Sequence, residues 1–149
     1  MKKSIDVVGA VIVSDHRILC AQRATGPLAG LWEFPGGKVE TDETPAEALE
    51  REVTEELGCQ ISVGDRITTT QHEYDFATIT LTTFYCQLLN GEPELTEHQA
   101  VRWLPAAALS QLDWAPADIP AVQLIQATYV YRITATIGGM SPVTGKLHP

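Results

Sequence analysis

The sequence predicts an α/β sandwich with a mixed central sheet. Strand-length apolar runs precede and follow one sharply punctuated helix, the last third turns helical, and no repeat or linker divides the 149 residues. That length suits one domain with a single core. The domain is expected over residues 1–137, followed by a loose tail at 138–149.

The elements follow in order. Residues 5–13 read as a buried strand, Ser14, Asp15 and His16 as a turn, and residues 17–21 as a second strand. Residues 25–37 form a loop-rich stretch with Gly26, Gly30 and Pro35-Gly36-Gly37. Thr44 then stands at an N-cap, Pro45 at the first helical position and Glu47 three residues after the cap, which is a capping box. Gly58 closes that helix. Residues 65–72, 78–89 and 100–104 read as strands, 105–112 as a short helix, and Pro120 as the start of a longer one. Residues 128–137 are rich in β-branched side chains and suit either an extension of that helix or a strand.

Composition excludes several classes. A hydrophobic fraction of 44% with 19% charged residues is that of a soluble globular chain, and no apolar run is long enough for a membrane span. A net charge of −9 argues against binding a nucleic-acid polymer. Met1-Lys2-Lys3 before an apolar run suggests a leader, but Asp6 interrupts it and no cleavage pattern follows, so a cytoplasmic location is expected. Cys20, Cys59 and Cys86 lie in apolar segments without a Cys-x-x-Cys pair and read as small core residues.

The helix Pro45–Leu57 carries the chemistry. At about 100° per residue, Ala46, Leu49, Val53 and Leu57 form an apolar stripe, and Glu52, Glu55 and Glu56 gather on another face. Like charges at this spacing cost a helix roughly 0.2–0.5 kcal/mol per pair. They also lie near the end where the helix dipole disfavours them. Taken alone, the three glutamates fit a solvated acidic face as well as a metal site. Hard oxygens on one rigid face suit magnesium, which shares its shell among carboxylates, water and phosphates. Arg51, four residues before Glu55, pairs with it and holds it in place.

Gly37, Glu43 and the run Arg51-Glu52-Val53-Thr54-Glu55-Glu56-Leu57-Gly58-Cys59 decide between the two. At these spacings they resemble the signature box of the Nudix hydrolases, with Cys59 where an aliphatic residue is usual. The segment Leu31-Trp32-Glu33-Phe34-Pro35-Gly36-Gly37-Lys38-Val39-Glu40 is similar to the MutT-like branch, which includes 8-oxo-dGTP diphosphatases and CTP pyrophosphohydrolases. The resemblance runs from about Val7 to about Ile125. Gly36-Gly37-Lys38 is not a phosphate loop, because Val39 stands where Ser or Thr is required.

The resemblance implies a Nudix-type α/β/α sandwich and attack by water on a nucleoside triphosphate, giving a monophosphate and pyrophosphate. It implies Mg2+ as cofactor, with Mn2+ as a substitute, held by the Gly37 carbonyl, Glu52, Glu55, Glu56 and Glu97. Glu52 or Glu97 would be the base, and Arg51 belongs to the catalytic group. Arg23 would meet a phosphate, and Val8, Phe34 and Ile79 would wall the base pocket, although each also reads as core. His72 and His98 lie near this site without metal-ligand spacing.

Asp118 stands where a polar side chain would read the base. A carboxylate only accepts, which suits the N4 amino group of cytosine and also the N1 and N2 donors of guanine. It also reads as the N-cap of the following helix. The cytosine reading draws further on Glu97-His98-Gln99-Ala100, Trp103 and Ala115-Pro116-Ala117-Asp118-Ile119-Pro120, which resemble the CTP pyrophosphohydrolase subgroup. The expected partner is a small nucleoside triphosphate, and the chain is expected as a monomer or homodimer. A non-catalytic nucleotide sensor and a nucleotide-sugar or dinucleoside hydrolase are the rival readings.

Overall fold

The computed structural model describes residues 2–94 and 98–137, with side chains described through residue 128. The chain runs β1 (Lys3–Ser14), β2 (Arg17–Arg23), β3 (Trp32–Glu33), β4 (Gly36–Lys38), α1 (Pro45–Leu57), β5 (Gln60–Glu73), β6 (Ala77–Asn90), β7 (His98–Leu104) and α2 (Ile119–Ile137). Two 3-10 turns, Ala106–Gln111 and Pro116–Asp118, lie before α2. The tail expected from residue 138 lies outside the described residues, as does Glu97.

Among the described residues, seven strands form one sheet in the order β3-β2-β1-β6-β5, with β4 beside β1 and β7 beside β2. β1 and β6 run parallel from Lys3 to Val13, and the other neighbours are antiparallel. The expected mixed α/β sandwich is therefore present. Alternation along β1 explains its unbroken apolar run. Val8, Ala10 and Ile12 pack with Leu49, Val53 and Leu57 of α1. Val11 and Val13 turn the other way, toward Ala121, Val122 and Ile125 of α2. No helix among the described residues is long and apolar enough to cross a membrane.

The turn at Asp15 and His16 has positive φ at both residues, 51° and 61°. That is the hairpin geometry whose twist matches its strands. β5 begins at Gln60, five residues before the sequence suggests, because register irregularities between Val63 and Arg66 carry the strand across Gly64 and Asp65. β3 and β4 form inside the stretch read as loop, each too short to show a period of its own. Residues 128–137 extend α2 as helix. Once a helix is nucleated, β-branched residues cost it only a few tenths of a kcal/mol each, on the order of their propensity difference.

Candidate active site

Caps hold α1 in place from both ends. Thr44 Oγ1 accepts the Glu47 amide at 3.1 Å, and the Glu47 carboxylate accepts the Thr44 amide at 2.9 Å. Gly58 ends the helix with φ 68° and donates its N–H to the Thr54 carbonyl. The buried stripe is Ala48, Leu49, Val53 and Leu57, with Ala46 half-buried. It turns the glutamate face toward β4.

Two adjacent glycines on β4 have different reasons to be glycine. Gly36 pairs with Gly9 of β1, and a Cβ there would strike the Val8 carbonyl. At Gly37 a Cβ would instead run into the Glu52 carboxylate. The missing side chain is thus a cradle for that carboxylate, beside a backbone carbonyl. Gly36→Ala is expected to destabilise the fold by about 1–3 kcal/mol, since backbone must move. Gly37→Ala displaces only the end of a flexible side chain. It is expected to keep Tm within a few degrees while kcat falls on the order of tenfold to a hundredfold through misplacement of Glu52. Thermal melts and steady-state rates on the two variants check the contrast, and equal behaviour would refute it.

Arg51 sits at the centre of an acidic ring. Its Nε and Nη2 donate to the Glu43 carboxylate at 2.6 and 3.0 Å, and Nη2 also reaches the Lys38 carbonyl at 3.0 Å. Nη1 lies 3.2 Å from Glu55, 3.4 Å from Glu52 and 3.6 Å from Glu40. The Arg51 hydrogen bond is the chief cause holding the Glu43 carboxyl below its ordinary range. Arg51 therefore knits the loop before α1 to the glutamate face and orients Glu52 and Glu55.

The three glutamates differ in setting. The Glu52 side chain is 17% exposed and Glu56 only 10%, whereas Glu55 is 60% exposed. Beyond Glu56 lies a second group of charges. His98 Nε2 stands 2.9 Å from Glu33 and 3.7 Å from Glu56, and Arg23 Nη1 donates to Glu33 at 3.2 Å. Arg23 Nε is buried without a hydrogen-bond partner, an open donor suited to an anion. His98 links this group to Glu56, and Glu33 joins His98 to Arg23. Glu33 carries no assigned role in the motif that contains it, although a charged residue between the two aromatic residues Trp32 and Phe34 is a visible signal.

The expected base-pocket residues separate. Ile79 joins Val7 and Leu28 around Tyr74, Leu81 and Ala117. Val8 instead packs in the core beneath α1, because adjacent strand residues face opposite ways. The Phe34 ring is also core, with its centroid 4.6 Å from that of Trp114. Phe34 contributes through its backbone, whose N–H donates to Asp118 Oδ1 at 3.1 Å. Asp118 is 5% exposed, and burial first, then the charge of Glu33, pushes its carboxyl well above the usual range. His72 packs against Tyr74 with ring centroids 4.5 Å apart.

Glu52 and the Gly37 backbone offer hard oxygens at one cradle, and Glu56 follows one turn further along α1, oxygen donors of the kind a divalent cation takes. Among the described residues no group of three or more His, Cys, Asp or Glu side chains is placed to hold a metal ion by itself. Arg51 lies within ion-pair distance of both Glu52 and Glu55. A cation that shares its shell with water and substrate phosphates needs fewer protein oxygens than a structural ion does.

A glycine cradle facing a carboxylate helix, with an unpartnered arginine donor on β2, is a site suited to phosphate chemistry assisted by a divalent metal ion. Residues 3–125 match the model of the NUDIX domain, and the chain belongs to the Nudix family. It is 43% identical over 131 residues to the CTP pyrophosphohydrolase of Escherichia coli K12, covering 87% of this chain and 97% of that one. It is 45% identical over 119 residues to the putative 8-oxo-dGTP diphosphatase 2 of Mycobacterium tuberculosis H37Rv, covering 75% and 81%. The solution structure of the MutT protein from methicillin-resistant Staphylococcus aureus 252 superposes with a TM-score of 0.69 at 55% identity, covering 85% and 98%. The chain is a Nudix hydrolase of the MutT type.

Proposed function

We propose that the chain hydrolyses a nucleoside triphosphate to the monophosphate and pyrophosphate, with a cytosine nucleotide preferred. What favours cytosine is the likeness to a CTP pyrophosphohydrolase, and the buried Asp118 carboxyl, one oxygen of which accepts the Phe34 N–H, supplies the acceptor such a base needs. The other oxygen is then offered to the base as an acceptor for the N4 amino group. The likeness to the CTP pyrophosphohydrolase covers 97% of that protein's length.

In this reading the Gly37 carbonyl, Glu52, Glu55, Glu56 and Glu97 hold magnesium, with manganese as a substitute. The ion would supply neutralisation of phosphate charge and a water of lowered pKa. Glu52 or Glu97 takes the proton from the attacking water. Arg51 keeps the glutamate face oriented. Arg23 offers its unpartnered Nε to a phosphate, and Glu33 fixes the arginine from the other side. The working unit is a single domain over residues 1–137, with a small nucleotide as partner and a cytoplasmic location. A non-catalytic sensor would have no use for a complete set of box glutamates, and this chain keeps them all.

A panel of nucleoside triphosphates with magnesium, read by pyrophosphate release, tests the proposal. CTP or dCTP is expected to show the highest kcat/KM. Faster turnover of 8-oxo-dGTP would overturn the base assignment, and no turnover of any triphosphate by folded protein would overturn the reaction.

A further inference from the structure

Tyr74 follows directly on the end of β5, and its ring is buried with Leu81 and Ala117. Its own N–H donates to the Ala77 carbonyl at 2.9 Å, closing the turn into β6 and fixing where the phenol begins. The ring is braced by His72 at 4.5 Å and by Phe76, stacked at 5.1 Å with planes 15° apart. At the far end, the hydroxyl oxygen accepts the Ala117 N–H at 2.9 Å.

Ala117 belongs to the 3-10 turn Pro116–Asp118. The chain leading into that turn is laced to β3, with Trp32 N–H to the Asp113 carbonyl at 2.9 Å and Ala115 N–H to the Trp32 carbonyl at 2.8 Å. Asp118 reaches the same side through Phe34. Tyr74 holds the turn from the end of β5, a second anchor besides β3. A three-residue turn held from two sides has little freedom to move the carboxyl at its end. Without the phenol, a buried amide is left unpaired, which the turn can relieve only by shifting.

We propose that Tyr74 is a positioning residue for base selection: its hydroxyl pins the Pro116–Asp118 turn and so sets where the Asp118 carboxyl meets the base. The inference rests on Asp118 as the base reader. Tyr74 acts on discrimination between bases and leaves the phosphate chemistry at α1 alone, because the phenol ties β5 to the turn and contacts neither β4 nor α1 in its hydrogen bonding.

The test compares Tyr74→Phe, Asp118→Ala and the double variant on CTP and dGTP, with the amide exchange rate of Ala117 as a direct structural readout. Phe keeps the ring and loses only the hydroxyl. The variant is expected to raise KM for CTP about threefold to tenfold, the size of one lost hydrogen bond, with kcat within about twofold. The CTP-to-dGTP preference should shrink by the same factor, and the Ala117 amide should exchange faster. In the Asp118→Ala background, removing the hydroxyl should narrow the preference no further. An equal loss on both bases, a fall in kcat, or an additive double variant would overturn the role of Tyr74. If Asp118→Ala leaves the preference intact, the base-reader assignment itself is wrong, whatever Tyr74→Phe does. Should Tyr74→Phe melt too low to assay, Tyr74→His, which restores a polar ring atom, is expected to recover part of the preference, and no recovery counts against the proposal.

Discussion

Glu52→Gln is expected to lower kcat by about a thousandfold without lowering Tm. Glu52 is the carboxylate that occupies the space left by the absent Gly37 side chain, and Arg51 stands 3.4 Å away. Glutamine keeps the shape and removes the charge that a metal ion or a departing proton requires. Loss of a positioned base alone is worth about 10²–10⁴ in rate. Stability should not suffer, because the change removes a negative charge from a face where Glu55 and Glu56 also stand. Arg51 keeps its two bonds to Glu43. Glu56→Gln should behave alike, since its side chain is equally sheltered. Glu55 is set differently, 60% exposed and paired with Arg51. Glu55→Gln should likewise lose activity at ordinary magnesium, with partial recovery as magnesium is raised. Rates across a magnesium titration, with melting curves for each variant, check all three. Wild-type rates in these variants would remove the metal assignment from α1.

The contrast between what local and distant residues encode is visible in this helix. Thr44, Pro45, Glu47 and Gly58 act within a few residues of one another, so Pro45–Leu57 was legible to the residue. The box spacing likewise brought Gly37 and Glu52 into one expectation, and in the fold they touch. What stayed hidden depends on partners far apart along the chain. His98 meets Glu33 across 65 residues, and Asp118 meets the Phe34 amide across 84. No periodicity reports such contacts. The same limit explains Val8. Its apolar character is plain, but which way it faces depends on the phase of β1 against α1, and that phase packs Val8 with α1 and Val7 with Ile79 and Tyr74. β3 and β4 leave no signature in the sequence because they are held by pairing with β2 and β1 rather than by any pattern of their own.

At Asp118 the sequence left a helix cap and a base reader side by side. The fold engages the carboxyl with a backbone amide at the start of the glycine segment. Burial and the charge of Glu33 hold its carboxyl well above the usual range, so the unfolded chain releases this proton at lower pH than the folded one. The associated stability is fully present below the ordinary value of about 3.9 and is lost as pH rises toward the folded-state value. Asparagine has no proton to release. Asp118→Asn is therefore expected to match the parent in stability near pH 3 and exceed it near pH 7, as melting curves at the two values would register. Its carbonyl can still accept from Phe34, which leaves the NH2 group to face the base. An acceptor for the cytosine N4 amino group then becomes a donor, and kcat/KM for CTP should fall about ten- to a hundredfold, the cost of an unmatched buried polar pair. In the parent, accepting from N4 requires the ionised carboxylate, so KM for CTP should fall as pH rises through the range where Asp118 ionises. That trend should vanish in Asp118→Asn. If KM for CTP keeps the same pH dependence in the variant, the titrating group lies elsewhere and Asp118 does not read the base.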